Sequence, residues 1–383
     1  MSTTASSSDY QFFGTVGGKV VVTHKDDRLC VLDGVTLEVL CQLLDVADVT
    51  AVAVWSPGTG SLDDKCDLWV VATVKDLVRC WRVYAASGCR DAQEEWMYIN
   101  RNVRLYYEVC ISLDGQWAAA GGYHDNCCDG EITVFSLRTD ATGAGAAAST
   151  TDTHPIRTIT CRELCCVCFG PDGHLLLGCR GGKLLHVWSV ESGEEVQHVE
   201  VDTEVNRMAL RQCVGVDGTA FEVVTGHVDG SIRLLSLCGA AADASHQQWY
   251  IGEEVRRFSH GTWISAVHCT SNGRYAITGA GVPEDDDSGQ GTVGVFYISV
   301  YFATMILTLR FLFTNVLVLT VRIWDLESGQ MLTKMDGHTG VGDVGVLCNG
   351  NVVGIGWDGT LFIWQPEVDL RRALVGIAPT DQL

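Results

Sequence analysis

Cysteine and histidine have the greatest capacity for chemistry in this chain, and two short stretches concentrate them. Cys165–Cys168 reads CCVC and contains the two-residue spacing of metal-binding and redox-active thiol pairs. The segment has the composition of a strand, in which residues three apart point to opposite faces, so we expect Cys165 and Cys168 not to act together. His124–Cys128 reads HDNCC in a predicted loop, but a zinc site needs four ligands and no second half is evident.

Motifs of known catalytic chemistry are absent from the sequence. It contains no P-loop, no HExxH zinc motif, no GxSxG nucleophile motif and no dinucleotide-binding glycine pattern. We therefore predict no catalytic, cofactor-binding or metal-ligating residue, and a protein that is not an enzyme. The competing class, an enzyme built on the same scaffold, would need acid–base or metal residues that converge from distant parts of the chain.

Charge and cysteine usage restrict the partners and the compartment. Of the 383 residues, 47 are Asp or Glu and 26 are Lys or Arg, which gives a formal charge of −21. Such a chain repels phosphate backbones, so we expect no nucleic acid and favour a basic protein partner. The 17 cysteines are odd in number and lack regular spacing, and MSTTASSSDY is unlike a secretory signal. These features predict a reducing compartment, cytoplasm or nucleus.

A recurring phrase indicates which elements the chain is built from. A short run rich in β-forming residues ends in an aromatic residue or Leu and then a small polar residue. The clearest copies are Val321–Gly329, Leu185–Gly193 and Leu361–Glu367, and weaker ones are Leu29–Gly34, Val78–Val83, Ile132–Leu137 and Ile232–Leu237. The seven anchor residues are Leu32, Trp81, Phe135, Trp188, Leu235, Trp324 and Trp364. A period of roughly 40–50 residues with strand-like alternation is typical of propeller blades.

Turn residues divide each unit into four short strands. Asp-Gly, Asn-Gly and Pro-Asp-Gly follow the first strand, as in Asp114–Gly115, Pro171–Gly173 and Asn272–Gly273. Almost nothing has the apolar period of a long helix. The sequence therefore predicts an all-β fold of seven blades closed into one ring.

From about Tyr10 to Pro366 the chain resembles a WD40-repeat protein, and its best unit is Gly337–Trp364. In that family a His, an Asp, a Ser or Thr and the Trp form a hydrogen-bonded tetrad. His338, Asp358 and Trp364 match three of these positions, and Gly356 stands near the place of the hydroxyl. The resemblance implies that His338 and Asp358 are structural, and that the fold is a seven-bladed WD40 β-propeller.

The resemblance also sets the expected domain boundaries. Residues 1–9 are predicted to be a disordered N-terminus, residues 10–367 the propeller and residues 368–383 a C-terminal tail. Because propellers avoid an open edge by strand pairing, we expect Tyr10–Thr15 to pair beside Trp364, with Ala373–Ala378 as the alternative. Three segments are predicted to be solvated loops: Ala141–Thr153, Cys238–Ser245, and Pro283–Gly291 with its acidic run Glu284–Asp287.

Residues 294–320 do not fit the repeat. Gly294–Thr320 is apolar enough for a membrane helix and has Arg310 as its single charge. It falls between two strands that must pair as neighbours, which a single membrane crossing would prevent. Removal of the segment restores a normal blade hairpin, and its Phe, Leu and Val codons are pyrimidine-rich. We interpret it as a translated intron; a membrane segment and a genuine insertion are the alternatives.

We expect a non-catalytic intracellular scaffold or adaptor that binds protein partners through the loop rims of the propeller. One alternative is a membrane-attached WD40 scaffold that uses residues 294–320. Another is a substrate-receptor subunit of a ubiquitin ligase, which in this family carries Trp-Asp-x-Arg. Trp81-Arg82 and Phe135–Arg138 match that motif in part, and Trp324–Glu327 lacks its Arg.

Overall fold

The architecture is known from a computed structural model, which describes residues 3–376 with gaps. The gaps are 7–9, 17–18, 25–27, 35, 37, 46–48, 57–66, 85–86, 125–128, 138–154, 163, 181–182, 216–217, 244–245, 271, 281–319, 337–340, 348 and 357–359. The predicted loops 141–153 and 283–291 therefore lie outside the described residues. The described strands form seven antiparallel four-stranded sheets, which we number as blades in chain order.

Each blade is given from its innermost to its outermost strand. Blade 1 consists of β2 (Tyr10–Val16), β3 (Lys19–His24), β4 (Arg28–Asp33) and β5 (Val39–Asp45). Blade 2 consists of β6 (Val49–Trp55), β7 (Leu68–Val74), β8 (Leu77–Val83) and β9 (Ala92–Ile99). Blade 3 consists of β10 (Leu105–Ile111), β11 (Trp117–Tyr123), β12 (Asp129–Ser136) and β13 (Arg157–Arg162). Blade 4 consists of β14 (Leu164–Phe169), β15 (Leu175–Arg180), β16 (Leu184–Ser189) and β17 (Glu195–Glu200).

The remaining blades continue the same order. Blade 5 consists of β18 (Val205–Gly215), β19 (Gly218–His227), β20 (Ser231–Asp243) and β21 (His246–Ser259). Blade 6 consists of β22 (Ile264–Cys269), β23 (Tyr275–Ala280), β24 (Thr320–Asp325) and β25 (Gln330–Asp336). Blade 7 consists of β26 (Val341–Val346), β27 (Val352–Gly356), β28 (Leu361–Trp364) and β1 (Thr3–Ser6). A helix, α1 (Val368–Leu374), follows.

The innermost strands close a ring. Each of β2, β6, β10, β14, β18 and β22 contacts the next innermost strand, and β26 contacts β2. A cycle of sheets without a free innermost edge is a propeller, so the predicted all-β propeller is confirmed.

The strand that closes the ring is not the predicted one. Thr3–Ser6 pairs antiparallel with Leu361–Trp364, whereas Tyr10–Val16 is the innermost strand of blade 1. The expectation of an N-terminal closing strand was correct, but Tyr10–Thr15 was the wrong segment, and residues 1–9 are not wholly without structure. The alternative, Ala373–Ala378, was also wrong, because α1 ends within it. A closing strand needs mainly backbone hydrogen bonds, so TTAS carries no apolar alternation that would reveal it.

A second correction concerns blade 5. Cys238–Ser245 was predicted to be a loop, but Cys238–Asp243 continues β20 and pairs with the start of β21, as in Cys238 opposite Tyr250. The hairpin is hydrogen-bonded to blade 4 through the side chain of Gln197. Its Nε2 donates to the Ile251 carbonyl (2.9 Å), and its Oε1 accepts from the Ile251 N–H (2.7 Å). The Gln197 amide thus occupies part of an edge that would otherwise invite strand pairing.

One irregularity recurs in the ring and joins its blades. All seven innermost strands contain a β-bulge near their start. In several blades the bulged side chain donates to a carbonyl of the next innermost strand: Thr50 to Tyr106, Tyr107 to Leu164, Asn206 to Ile264 and Ser265 to Val341. These bonds join the innermost strands of neighbouring blades at the bulges.

The seven anchor residues occupy equivalent places. Each lies on the third strand of its blade and is between 0% and 5% exposed: Leu32, Trp81, Phe135, Trp188, Leu235, Trp324 and Trp364. The predicted turns also form, with glycines in the left-handed region at Gly115 (φ 64°), Gly173 (φ 73°) and Gly273 (φ 67°). That the seven residues hold the blades together remains a prediction.

The strands that flank the anomalous segment are paired as expected. Gly279 of β23 lies opposite Val321 of β24, and the register continues to Tyr275 opposite Asp325. Thr320, the last residue assigned to the segment, belongs to β24 and lies opposite Asp336. Residues 281–319 lie outside the described residues. Across the part of the chain that is described, no helix has the length and apolar character needed to cross a membrane.

Candidate functional site: the charged layer of the channel

Three charged side chains occupy one level of the innermost strands. Glu108, Arg207 and Asp343 each follow the bulge of their strand, in blades 3, 5 and 7. The corresponding residues of blades 2, 4 and 6 are Ala51, Cys166 and Ala266. Because the innermost strands surround the axis of the ring, we call Glu108, Arg207 and Asp343 the channel layer.

Burial and mutual interaction shift the acidity of the channel layer. Burial raises the pKa of Glu108 from an ordinary 4.5 to about 7; Arg207 opposes the shift and Asp343 adds to it. Burial likewise raises the pKa of Asp343 from 3.8 to about 6, against the Val344 N–H and Arg207. The pKa of Arg207 is raised although burial opposes this, because Glu108, Cys166 and Asp343 favour its charge. Two carboxyl groups thus titrate near neutrality beside one permanent cation.

The pKa of Glu108 predicts a pH-dependent stability. Its carboxyl group is protonated more readily in the folded chain than in the unfolded chain, so the stabilisation is complete below pH 4.5 and is lost as pH rises through about 7. The variant Glu108→Gln should remove this decline, by roughly 1–3 kcal/mol, which is less than the full shift because the Glu108 side chain is only partly buried. Urea unfolding between about pH 4.5 and 7.5 measures it. Parallel pH profiles for wild type and variant would contradict the prediction.

Three thiols and one imidazole on the innermost strands are held neutral. Burial raises the pKa of Cys269 to about 12, and it raises the pKa of Cys110 and of Cys168. Burial alone lowers the pKa of His268 to about 4. Such thiols are poor nucleophiles. Among the described residues, no group of three or more His, Cys, Asp or Glu side chains could hold a metal ion.

The described side chains Cys166 and His124 of the two cysteine-containing motifs have neighbours outside their own motif. Cys166, not Cys165, lies in register with Cys179, with their sulfurs 3.1 Å apart, because the strand bulges between Leu164 and Cys166. His124 approaches Glu131, with Nε2 3.6 Å from Oε2. Residues 125–128 lie outside the described residues.

The predicted tetrad can be followed only at its tryptophan. His338 and Asp358 lie outside the described residues, and the buried Trp364 Nε1 has no hydrogen-bond partner among the described ones. A related arrangement that the sequence analysis missed occurs in blade 6, where Trp324 Nε1 donates to Thr278 Oγ1 (2.9 Å). His260, only 1% exposed, lies beside Trp324, with ring centroids 6.4 Å apart. The sequence signal for this arrangement is His260, which precedes the first strand of blade 6 as His338 precedes that of blade 7.

Blade 5 has a larger polar cluster beside its Leu anchor. Arg233 is 2% exposed; it donates to Thr203 Oγ1 (2.7 Å) and pairs with Asp202. His227 bridges two hydroxyls, with Nε2 2.8 Å from Thr225 Oγ1 and Nδ1 2.9 Å from Thr203 Oγ1. Burial, followed by Arg233, lowers the pKa of His227 to about 4, so the imidazole is neutral near pH 7. The cluster was not predicted, because Leu235 lacks the indole that defines the family pattern.

The side chain considered for a ligase-receptor role is already paired. Arg82 contacts Asp67, with Nη2 2.5 Å from Oδ2, and its guanidinium lies over the rings of Trp69 and Tyr84. Arg138, of the second partial match, lies outside the described residues.

Comparisons with known proteins agree with this architecture. The family described as "WD domain, G-beta repeat" matches residues 153–189 and 329–365, which contain the anchors Trp188 and Trp364. The β-propeller domain of Myceliophteria thermophila Cps50 (Swd1) shares 12% sequence identity, with a TM-score of 0.62. That alignment covers 95% of this chain and 98% of the other. No curated protein matches the sequence. The repeats and the ring of antiparallel sheets together identify the chain as a WD40-repeat protein.

Proposed function

We propose that this protein is a non-catalytic scaffold or adaptor that holds protein partners on the faces of its propeller. The observation that carries the proposal is the closed ring of antiparallel sheets. Each sheet packs against its two neighbours in the ring, so the connections between strands lie at the two faces of the propeller. Rigid scaffolds with exposed loops commonly bind peptides and domains there. The seven-bladed form, with Thr3–Ser6 as part of the propeller, and a cytoplasmic or nuclear location are part of this proposal.

The preferred partner is basic at its contact surface. The whole chain has a formal charge of −21, and the channel layer presents two carboxyl groups against one guanidinium. A positive partner segment is attracted to such a surface over distances of about a Debye length. Nucleic acid is disfavoured by the same charge.

An affinity capture from a cell lysate tests the proposal. The bait is the chain without residues 294–319, which retains Thr320 because that residue belongs to β24. We expect defined protein partners with basic segments, bound less tightly as salt rises from about 0.05 to 0.5 M, because exposed charges become screened. The matched bait carries Glu108→Gln and Asp343→Asn. Binding that does not change with salt, or capture of acidic partners only, would contradict the proposal of a basic partner. Capture of no partner would contradict the proposal that the protein is a scaffold.

A further inference from the structure

One pairing of a basic side chain with a carboxylate recurs in three blades. In each, a basic residue lies two positions before the anchor, and a Glu lies opposite the anchor on the outermost strand. The pairs are Arg79 with Glu94 (Nε–Oε1, 2.6 Å), His186 with Glu195 (Nδ1–Oε2, 3.0 Å) and Arg233 with Glu254 (Nη1–Oε2, 3.7 Å). The glutamates lie opposite the anchors Trp81, Trp188 and Leu235. The repeat therefore builds a place for a carboxylate beside the basic side chain.

Blade 6 has the basic residue without the acid. Arg322 lies two positions before Trp324, and the residue opposite Trp324 is Met331, which is 46% exposed. Among the described residues, Arg322 forms no ion pair, and its buried Nε has no hydrogen-bond partner. Burial lowers the pKa of Arg322, with no acid acting in the opposite direction. Half-buried guanidinium groups without a partner are costly, so a missing carboxylate is informative.

The surroundings of Arg322 are positive and apolar. Arg322 lies directly between Thr278 and Lys334 in the register of the sheet. His260 is buried nearby, and burial together with Arg322 lowers its pKa to about 3, so it carries no charge near neutral pH. Met331 and Leu332 are exposed on the same outermost strand.

We propose that the seam between blades 5 and 6 binds an acidic side chain of a partner protein. The carboxylate of a Glu or Asp in an extended partner segment pairs with Arg322, in the place that Glu94, Glu195 and Glu254 fill in their own blades. Apolar residues two positions before or after that acid lie on the same face of the extended segment and pack on Met331 and Leu332. The fork of Arg79, which holds both oxygens of Glu94 at 2.6 and 2.7 Å, indicates the geometry that an arginine at this position can offer.

The negative charge of the whole chain does not prevent this contact. At physiological salt, charges more than about 8 Å apart are largely screened, so the side chains at the seam determine the local attraction. In blade 6 the side chain that determines this attraction is Arg322. The site lies at a seam of the ring, apart from the channel layer, and is additional to the proposed function.

A peptide-binding experiment tests the site. The probe is a short fluorescein-labelled peptide with Leu-Ser-Glu-Ser-Leu flanked by Gly and Ser, and its match contains Leu-Ser-Gln-Ser-Leu. We expect the intact chain to bind the Glu peptide about ten-fold more tightly, a difference of about 1.4 kcal/mol. Met331→Glu should abolish the preference for the Glu peptide, because the new side chain supplies a carboxylate to Arg322 from within the chain. Met331→Gln, whose side chain has the same shape as Glu but no charge, should retain the preference. Equal binding of both peptides, or a preference that survives Met331→Glu, would overturn the proposal.

Stability measurements check the premise independently of any peptide. In a chain that keeps Arg322, Met331→Glu should give a higher midpoint of urea unfolding than Met331→Gln. This difference should vanish when Arg322 is also replaced by Gln. The cycle isolates the new ion pair, since each single change removes or adds one partner. If Met331→Glu stabilises the chain no more than Met331→Gln, Arg322 already has its carboxylate and the proposal fails.

Discussion

Replacement of Trp324 by Ala should lower the free energy of unfolding by about 3–5 kcal/mol, the usual cost of removing a large buried aromatic side chain. Trp324 is 5% exposed and stacks on Phe258 of blade 5, with ring centroids 5.7 Å apart and planes inclined by 15°. It also packs with Ile264, at the start of the innermost strand of blade 6. The substitution therefore empties a seam between two blades, and the large cavity cannot collapse without moving a sheet.

Two further variants separate packing from hydrogen bonding at this seam. Thr278→Val keeps the volume but leaves the indole N–H without its acceptor, which should cost about 1–3 kcal/mol. Leu332→Ala, at a residue 40% exposed on the same blade, should change stability by less than about 1 kcal/mol. Urea unfolding measures all three variants, with far-ultraviolet circular dichroism as the signal because it does not depend on tryptophan fluorescence. A loss below about 1 kcal/mol for Trp324→Ala would show that Trp324 does not anchor the blade.

The repeat could be predicted because its signals are local. Alternating apolar residues, a glycine with positive φ after Asp or Asn, and a terminal aromatic residue all act within one hairpin. Gly115, Gly173 and Gly273 illustrate this, since each turn needs the same backbone conformation wherever it occurs in the ring. The third-strand position of the anchors follows from the same pattern.

Features created by ring closure could not be predicted in the same way. Glu108, Arg207 and Asp343 are about a hundred residues or more apart in the sequence, and only the cyclic order of the innermost strands brings them to one level. The closing strand Thr3–Ser6 contributes through its backbone, which leaves no distinctive side-chain pattern.

Polar clusters were missed where the anchor is not a tryptophan. The family pattern looks for an indole donor, and Leu235 cannot donate a hydrogen bond. In blade 5 the buried cation Arg233 instead organises the hydroxyl of Thr203 and the carboxylate of Asp202. Equivalent positions in other blades do indicate the cluster, because Arg79 and His186 hold the same position as Arg233.

Arg233→Met should destabilise the chain by about 2–4 kcal/mol, since it removes a buried charge that several acceptors share. Arg233 is 2% exposed and contacts Thr203, Ser231 and Asp202, with Glu254 at 3.7 Å. Methionine keeps much of the volume, so the loss reports the missing guanidinium rather than a cavity. The carboxylates of Asp202 and Glu254 are partly exposed and recover some hydration, which keeps the effect below that of a fully buried pair.

The matched control for Arg233 is Arg257, which faces the same carboxylates from the surface. Arg257 Nε lies 2.8 Å from Glu254 Oε1 and its Nη1 3.4 Å from Asp202 Oδ2, but its side chain is 46% exposed. Because exposed ion pairs contribute little, Arg257→Gln should cost less than about 1 kcal/mol. The difference in free energy of unfolding between Arg233→Met and wild type should become smaller in acid. The hydrogen bond from Arg233 lowers the pKa of Asp202 below its ordinary 3.8. The stability that Asp202 contributes is therefore present above pH 3.8 and is lost as the pH falls through the pKa of the folded state. Urea unfolding at pH 7 measures both variants. If Arg233→Met and Arg257→Gln lower the free energy of unfolding equally, the cluster is an ordinary surface ion-pair network. The hydrogen bonds of His227 with Thr225 and Thr203 would then stabilise blade 5 without help from Arg233.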